Sequence, residues 1–354
     1  MCMKKKAYLV LEDGTVFKGY SFGAEKASIG ELVFNTSAVG YIETLTDECY
    51  FGQIVVQTFP LIGNYGIIEE DFVGKCCLKG FVVREWCDKP SNFRCQYDLD
   101  KYLKEQGVAG IYGVDTRAIT RHIRDNGTMN AVITDTVPAD LTDVKNFKIV
   151  NAVSTLSNDD VNNYKAENPR FNVTYIDYGA KHNVISELVK RGCNVKVVKY
   201  DTSADEILAD KPDGIVLGDG AGDPNENTAA IAEVKKLFGN IPVFGVGLGH
   251  QILALSQGGK TEKLKYGHRG SSQPVKDLDG ARTYITAQNH AYTVVNDSAS
   301  GGKTNLVNVN DGTCEGIVYN NKKAFSVQFV PEVSNGPHNA AFIYDNFIKM
   351  MEEN

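Results

Sequence analysis

Short apolar runs separated by glycine-rich turns mark the first half of the chain, at residues 7–11, 15–19, 31–35, 53–58 and 79–84. Runs of that length bounded by turn residues predict β-strands. Helical spacing occupies 99–106 and 117–124, on either side of Gly110-Ile111-Tyr112-Gly113-Val114-Asp115. Residues 1–153 therefore predict a mixed α+β domain. The polar stretch 154–170, with Asn158-Asp159-Asp160 and Asn162-Asn163, has little apolar periodicity and is expected to be a linker. From 171 to 354 the pattern changes. Strand-like runs at 172–176, 194–200, 214–217 and 241–246 alternate with helical patterns at 182–191, 203–209 and 227–238. In the first of these helices Ile185, Leu188 and Val189 fall on one face. Such alternation predicts an α/β fold with a mainly parallel sheet flanked by helices, its site at the strand C-termini. Further strands are expected at 282–287, 292–295 and 324–329, before a helix over 338–351.

Composition narrows the function classes. A hydrophobic fraction of 42% and a charged fraction of 23% suit a soluble globular protein, and a net charge of −7 gives no nucleic-acid footprint. The apolar run at 7–11 is too short for a signal-peptide core or a membrane span. Eight cysteines are scattered without a C-x-x-C pair, which predicts reduced thiols in a cytoplasmic protein. No metal site is expected, because no ligand cluster is visible along the chain.

The strongest local signal is Val243-Phe244-Gly245-Val246-Gly247-Leu248-Gly249-His250-Gln251-Ile252-Leu253. An apolar strand runs through a glycine-rich turn into an apolar helix. This is the pattern of a nucleophile elbow, which presents its central residue at a helix N-terminus beside amides able to hold an oxyanion. A plain tight turn fits the same residues. A dinucleotide fingerprint fits less well, because the spacing is G-x-G-x-G and the motif follows the fourth strand of its series.

Other stretches make the elbow sharper. Phe34-Asn35-Thr36-Ser37, Gly52-Gln53-Ile54-Val55, Pro60-Leu61-Ile62-Gly63-Asn64-Tyr65-Gly66, Gly113-Val114-Asp115-Thr116-Arg117, Asp177-Tyr178-Gly179, Gly222-Asp223-Pro224, Tyr266-Gly267-His268 and Gln288-Asn289-His290 span both halves. With them the chain resembles the class I glutamine amidotransferases, and within them the small-subunit family of carbamoyl-phosphate synthetases.

The resemblance implies a cysteine that attacks the glutamine amide, a histidine that moves protons and a glutamate that orients it. At the matching positions stand Gly247, Val330 and Glu332. Only Glu332 survives, so the thiol mechanism is expected to be unavailable and glutaminase activity lost or very weak. The resemblance assigns glutamine contacts to Ser37, Gly220, Gly222, Leu248, Gln251, Asn289, Ala291 and Tyr292, with the backbone N–H groups of Gly220 and Leu248 as the oxyanion hole. Ala221 and Ala291 depart from the family's usual proline and glycine. Restoring both groups by Gly247→Cys/Val330→His is expected to recover activity partly, limited by Ala221 and Ala291.

The family further implies a large synthetase subunit as partner. That subunit would bind ATP and bicarbonate and serve arginine or pyrimidine synthesis, and no cofactor is expected in this chain. Four roles follow. The first is a docking subunit supporting ammonia-dependent synthesis, and the second an inactive module that binds glutamine. The third is a rearranged glutaminase with Cys49 as attacker, and the fourth a structural pseudo-subunit.

Overall fold

Alternating residues decide which way each strand faces. In Phe171–Asp177, Val173 and Tyr175 enter one core while Ile176 enters the core on the opposite side. Gly214–Leu217 repeats the pattern, with Val216 on the first side and Ile215 and Leu217 on the other. A sheet buried on both faces results, as parallel strands require. The computed structural model describes residues 5–158, 161–180, 183–280, 282–319, 323–331 and 339–354. It divides into two units, Met1–Ile149 and Val150–Asn354.

The first unit is a closed barrel. Its strands run in the order Lys6–Leu11, Val16–Gly23, Ala109–Tyr112, Gly80–Val83, Gln53–Gln57, Ser28–Asn35 and Met129–Thr134. Four of them, Ser28–Asn35, Gln53–Gln57, Gly80–Val83 and Ala109–Tyr112, are mutually parallel, so their C-terminal ends share one rim. On the outer face of the barrel Val33, Val55, Phe81 and Val83 pack with Leu99, Tyr102 and Leu103 of the helix Leu99–Glu105, which covers them. Asp98 caps that helix by accepting from Lys101 N. A second helix, Thr116–Asn126, is capped by Asp115 and buries Thr116, Ile119 and Ile123.

The second unit carries a ten-stranded sheet. Its five parallel strands are Cys193–Lys199, Phe171–Asp177, Gly214–Leu217, Val243–Val246 and Ala324–Val327. Beyond Ala324–Val327 the sheet continues antiparallel through Cys314–Tyr319, Lys303–Asn308, Thr261–Asp277 and Thr283–Val294. One face is covered by the helices Ala204–Ala209, Thr228–Leu237 and Leu248–Ser256. The other is covered by Val184–Lys190 and Phe342–Glu352. No helix among the described residues is long and apolar enough to cross a membrane.

Two expectations change. The stretch 154–170 is not a bare linker: the division between units falls at Ile149, and Asn162–Tyr164 pairs antiparallel with Cys193–Lys199 at the sheet edge. Two asparagines and a tyrosine suffice there, because an edge strand contributes backbone hydrogen bonds without needing an apolar face. The separate strands at 282–287 and 292–295 are one, Thr283–Val294. Its partner Thr261–Asp277, polar and interrupted by register shifts, has no strand-like apolar run to announce it.

Candidate functional site

The strand Val243–Val246 ends at Gly247, and the helix Leu248–Ser256 begins immediately after it. Gly247 has φ 55 and ψ −113, a positive-φ conformation that L-residues rarely adopt. Its N–H donates to Val327 O at 2.9 Å, tying the bend to the neighbouring strand. Gly249 matters for a different reason. A Cβ there would overlap the backbone of Leu217, so the helix can lie this close to Gly214–Leu217 only with hydrogen at that position. The sequence GVGLG is thus a strand–turn–helix elbow built by close packing.

An unexpected group fills the bend. Asp219 begins the two-residue strand Asp219–Gly220, just after Gly214–Leu217 and paired with Gly179–Ala180, and is buried. Its Oδ1 accepts from Leu248 N at 2.8 Å and from Gly220 N at 2.8 Å. These are the two amides that the resemblance assigns to the oxyanion hole. A Cβ added at Gly247 would overlap the Asp219 carboxyl group. The space beside the elbow therefore holds a carboxyl side chain from the short strand Asp219–Gly220. Nothing in Asp219-Gly220-Ala221-Gly222 signals that a carboxyl folds back onto amides, so the role of Asp219 is visible only in the fold.

The other expected residues divide between the units. Gln251, on the elbow helix, donates through Nε2 to Tyr292 O and to Gln328 Oε1, both at 2.8 Å. Asn289, Ala291 and Tyr292 lie on Thr283–Val294. Val330 forms a bridge with Ala287 of the same strand, its N–H donating to Ala287 O at 3.1 Å. Gly222 turns at φ 97, with Ala152 against it. The elbow helix, one long antiparallel strand and the segment 328–330 thus converge. Ser37 belongs to the first unit, where its N–H donates to Asn35 Oδ1 and its carbonyl accepts from Gln57. Cys49 is buried in the short turn Glu48–Tyr50 of that unit and is not on the elbow. Glu332 lies outside the described residues.

Residues 9–133 match the family model "Carbamoyl-phosphate synthase small chain, CPSase domain", and 174–350 match "Glutamine amidotransferase class-I". The carbamoyl phosphate synthase small chain of Clostridium perfringens is 47% identical over 349 residues, covering 97% of this chain and 99% of that one. The chain belongs to the carbamoyl-phosphate synthase small-chain family. Also similar are the small chain of Fusobacterium nucleatum, 44% identical with 98% of each chain covered. The pyrimidine-specific small chain of Lactiplantibacillus plantarum is 44% identical, covering 99% of this chain and 97% of its own.

This small chain also clusters residues that the sequence keeps apart. Donor atoms of His268, His290 and Glu315 lie within 4.8 Å of one another, all buried. The expectation that no ligand cluster exists is corrected here: Thr261–Asp277, Thr283–Val294 and Cys314–Tyr319 each deliver one member. The donors are, however, engaged with protein. His268 Nε2 is 2.9 Å from Asp311 Oδ2, and its Nδ1 is 3.5 Å from Glu315 Oε1. His290 meets Tyr292 O at 2.8 Å and Gln288 Oε1 at 3.0 Å. The cluster reads as an ion-pair network better than as a metal cage.

Its protonation follows from that geometry. Burial opposes a charge on His268, but Asp311 and Glu315 outweigh it and raise its pKa to about 9. Burial likewise pushes Asp311 up, yet His268 and Thr313 hold it down at about 2. Burial raises Glu315, against the pull of His268 and Asn308. His250, beneath the elbow with Nδ1 2.8 Å from Ser326 Oγ, is lowered to about 3 by burial. The signs give a prediction. His268, raised above its ordinary 6.5, contributes stability that is present below that pH and is lost as pH rises through about 9. His250 acts oppositely: below 6.5 the unfolded chain takes the proton first, and stability falls as pH drops toward 3. The urea midpoint is expected to peak near pH 6.5 and decline on both sides. A midpoint that holds level up to pH 9 would contradict the assignment for His268.

Proposed function

We propose that this small chain is a glutaminase-deficient docking subunit, which supports ammonia-dependent carbamoyl phosphate synthesis by a large synthetase chain. In this reading Gly247 and Val330 stand where the family's cysteine and histidine stand, so nothing attacks an amide and nothing moves its proton. One observation carries the reading. The Asp219 carboxyl group sits on the amides of Gly220 and Leu248, in space that a side chain at 247 would need. ATP and bicarbonate bind to the partner, and the pair works in the cytoplasm.

The same observation weighs against a glutamine-sensing module. A glutamine carbonyl aimed at the elbow would find both amides already engaged, and Gln251 is held by Tyr292 and Gln328. Calorimetry with glutamine is expected to give no binding heat, and millimolar binding would restore the sensing reading. The docking reading is tested by reconstitution with the large chain of the same organism. Ammonia-driven synthesis is expected to proceed, with glutamine-driven synthesis reduced about 10⁶-fold, as for loss of a nucleophile or base in a hydrolytic triad. Equal rates from the two nitrogen sources would overturn it.

A further inference from the structure

Helix Thr116–Asn126 buries Ile119 and Ile123 and leaves Arg117, Arg121 and Arg124 exposed on its outer side. Together with Thr36, Thr58, Pro60, Thr120 and a single acid, Asp115, they line an open cleft of about 760 Å³ at the rim where the parallel strands end. Arg117 and Arg121 have no ion-pair partner among the described residues, and Arg124 reaches only the neighbouring Asp125, at 3.1 Å. In a chain of net charge −7 this is a concentrated positive surface. We infer that the cleft seats an acidic segment of the synthetase partner, an inference that rests on the docking role proposed above.

Two features favour a protein segment over a small anion. The helix N-terminus, where a phosphate would ordinarily lodge, is already occupied by Asp115, whose Oδ1 accepts from Ala118 N at 3.0 Å. The strand end beside the arginines also exposes Phe59 and Leu61, 40% and 39% accessible. Arginine beside exposed apolar and aromatic side chains is the composition of a protein interface. Spacing agrees. Arg117, Arg121 and Arg124 fall at i, i+4 and i+7, a row about 10 Å long that an extended acidic segment or a helix face can follow.

The test titrates the large chain into wild type and into Arg117→Glu/Arg121→Glu, at low and high salt. Wild type is expected to bind with an affinity that falls as salt rises. The variant should bind at least about tenfold more weakly at low salt, with a flatter salt dependence. Arg117→Lys/Arg121→Lys should keep most of the affinity. Arg117→Gln/Arg121→Gln gives the same comparison in smaller steps should the charge-reversed helix melt. If wild type fails to bind, the docking role falls and this inference with it. If wild type binds and both the Glu and Gln pairs bind equally well, the inference alone is overturned. Stabilisation of wild type but not the variant by inorganic phosphate, with partner binding unchanged, would likewise overturn it in favour of a small-anion site.

Discussion

A Gly247→Cys/Val330→His protein is expected to leave glutamine hydrolysis at background, and adding Asp219→Ala to raise it by at least about 10³-fold. Replacing Ala221 and Ala291 as well is expected to matter less than that single exchange. The reason is spatial before it is chemical. Any side chain at 247 must place its Cβ where the Asp219 carboxyl group now lies, while adopting a φ of 55 that costs an L-residue about 1–3 kcal/mol. The protein can relieve that overlap only by turning Asp219 away, which surrenders its bonds to Leu248 N and Gly220 N at the same time. If the cysteine and Asp219 did coexist, a carboxyl oxygen would still compete for the amides that must receive the developing oxyanion. Shortening residue 219 to alanine removes both obstacles. Ammonia release by the double and triple variants decides the matter. A double variant as active as the triple would show that Asp219 is no obstacle, and the expected partial recovery limited by Ala221 and Ala291 would then stand.

Replacing His268 with leucine is expected to destabilise the second unit by about 3 kcal/mol, because it strips a cation from the buried Glu315 carboxyl group. Glu315 has no accessible surface, and its Oε1 is served by His268 at 3.5 Å and by Asn308 Nδ2 at 3.1 Å. Without the imidazole the glutamate must either remain buried with one donor fewer or take up a proton. The paired exchange His268→Leu/Glu315→Leu should recover much of the loss, since neither partner is then stranded. Urea unfolding of the single and paired variants measures both. A single exchange costing less than about 1 kcal/mol would mean that Glu315 is neutral without help, and the ion-pair reading would fail.

The parallel strands were legible because burial on both faces leaves little room for polar residues, as at 214–217 and 243–246. Closure of the first unit into a barrel was not. It depends on Met129–Thr134 pairing with Lys6–Leu11 and Ser28–Asn35, partners about a hundred residues away, and that strand has no turn signature linking it to either. Thr261–Asp277 is not announced by the sequence because its buried positions include His268 and Arg269 where an ordinary strand would hold valine or isoleucine. At the site, the elbow could be read from three glycines within five residues. Asp219 could not, because its contact with Leu248 bridges two separate strand ends that only the fold brings together.

The short antiparallel strand Asn162–Tyr164 has a bearing on how this protein behaves in concentrated solution. It covers Cys193–Lys199, whose sequence CNVKVVK would otherwise present an unpaired backbone and a valine-rich row at the margin of the sheet. Trimming the chain back to residue 170 to isolate the second unit would uncover that margin, and the shortened protein should self-associate. Beginning at Val150 keeps the guard strand in place.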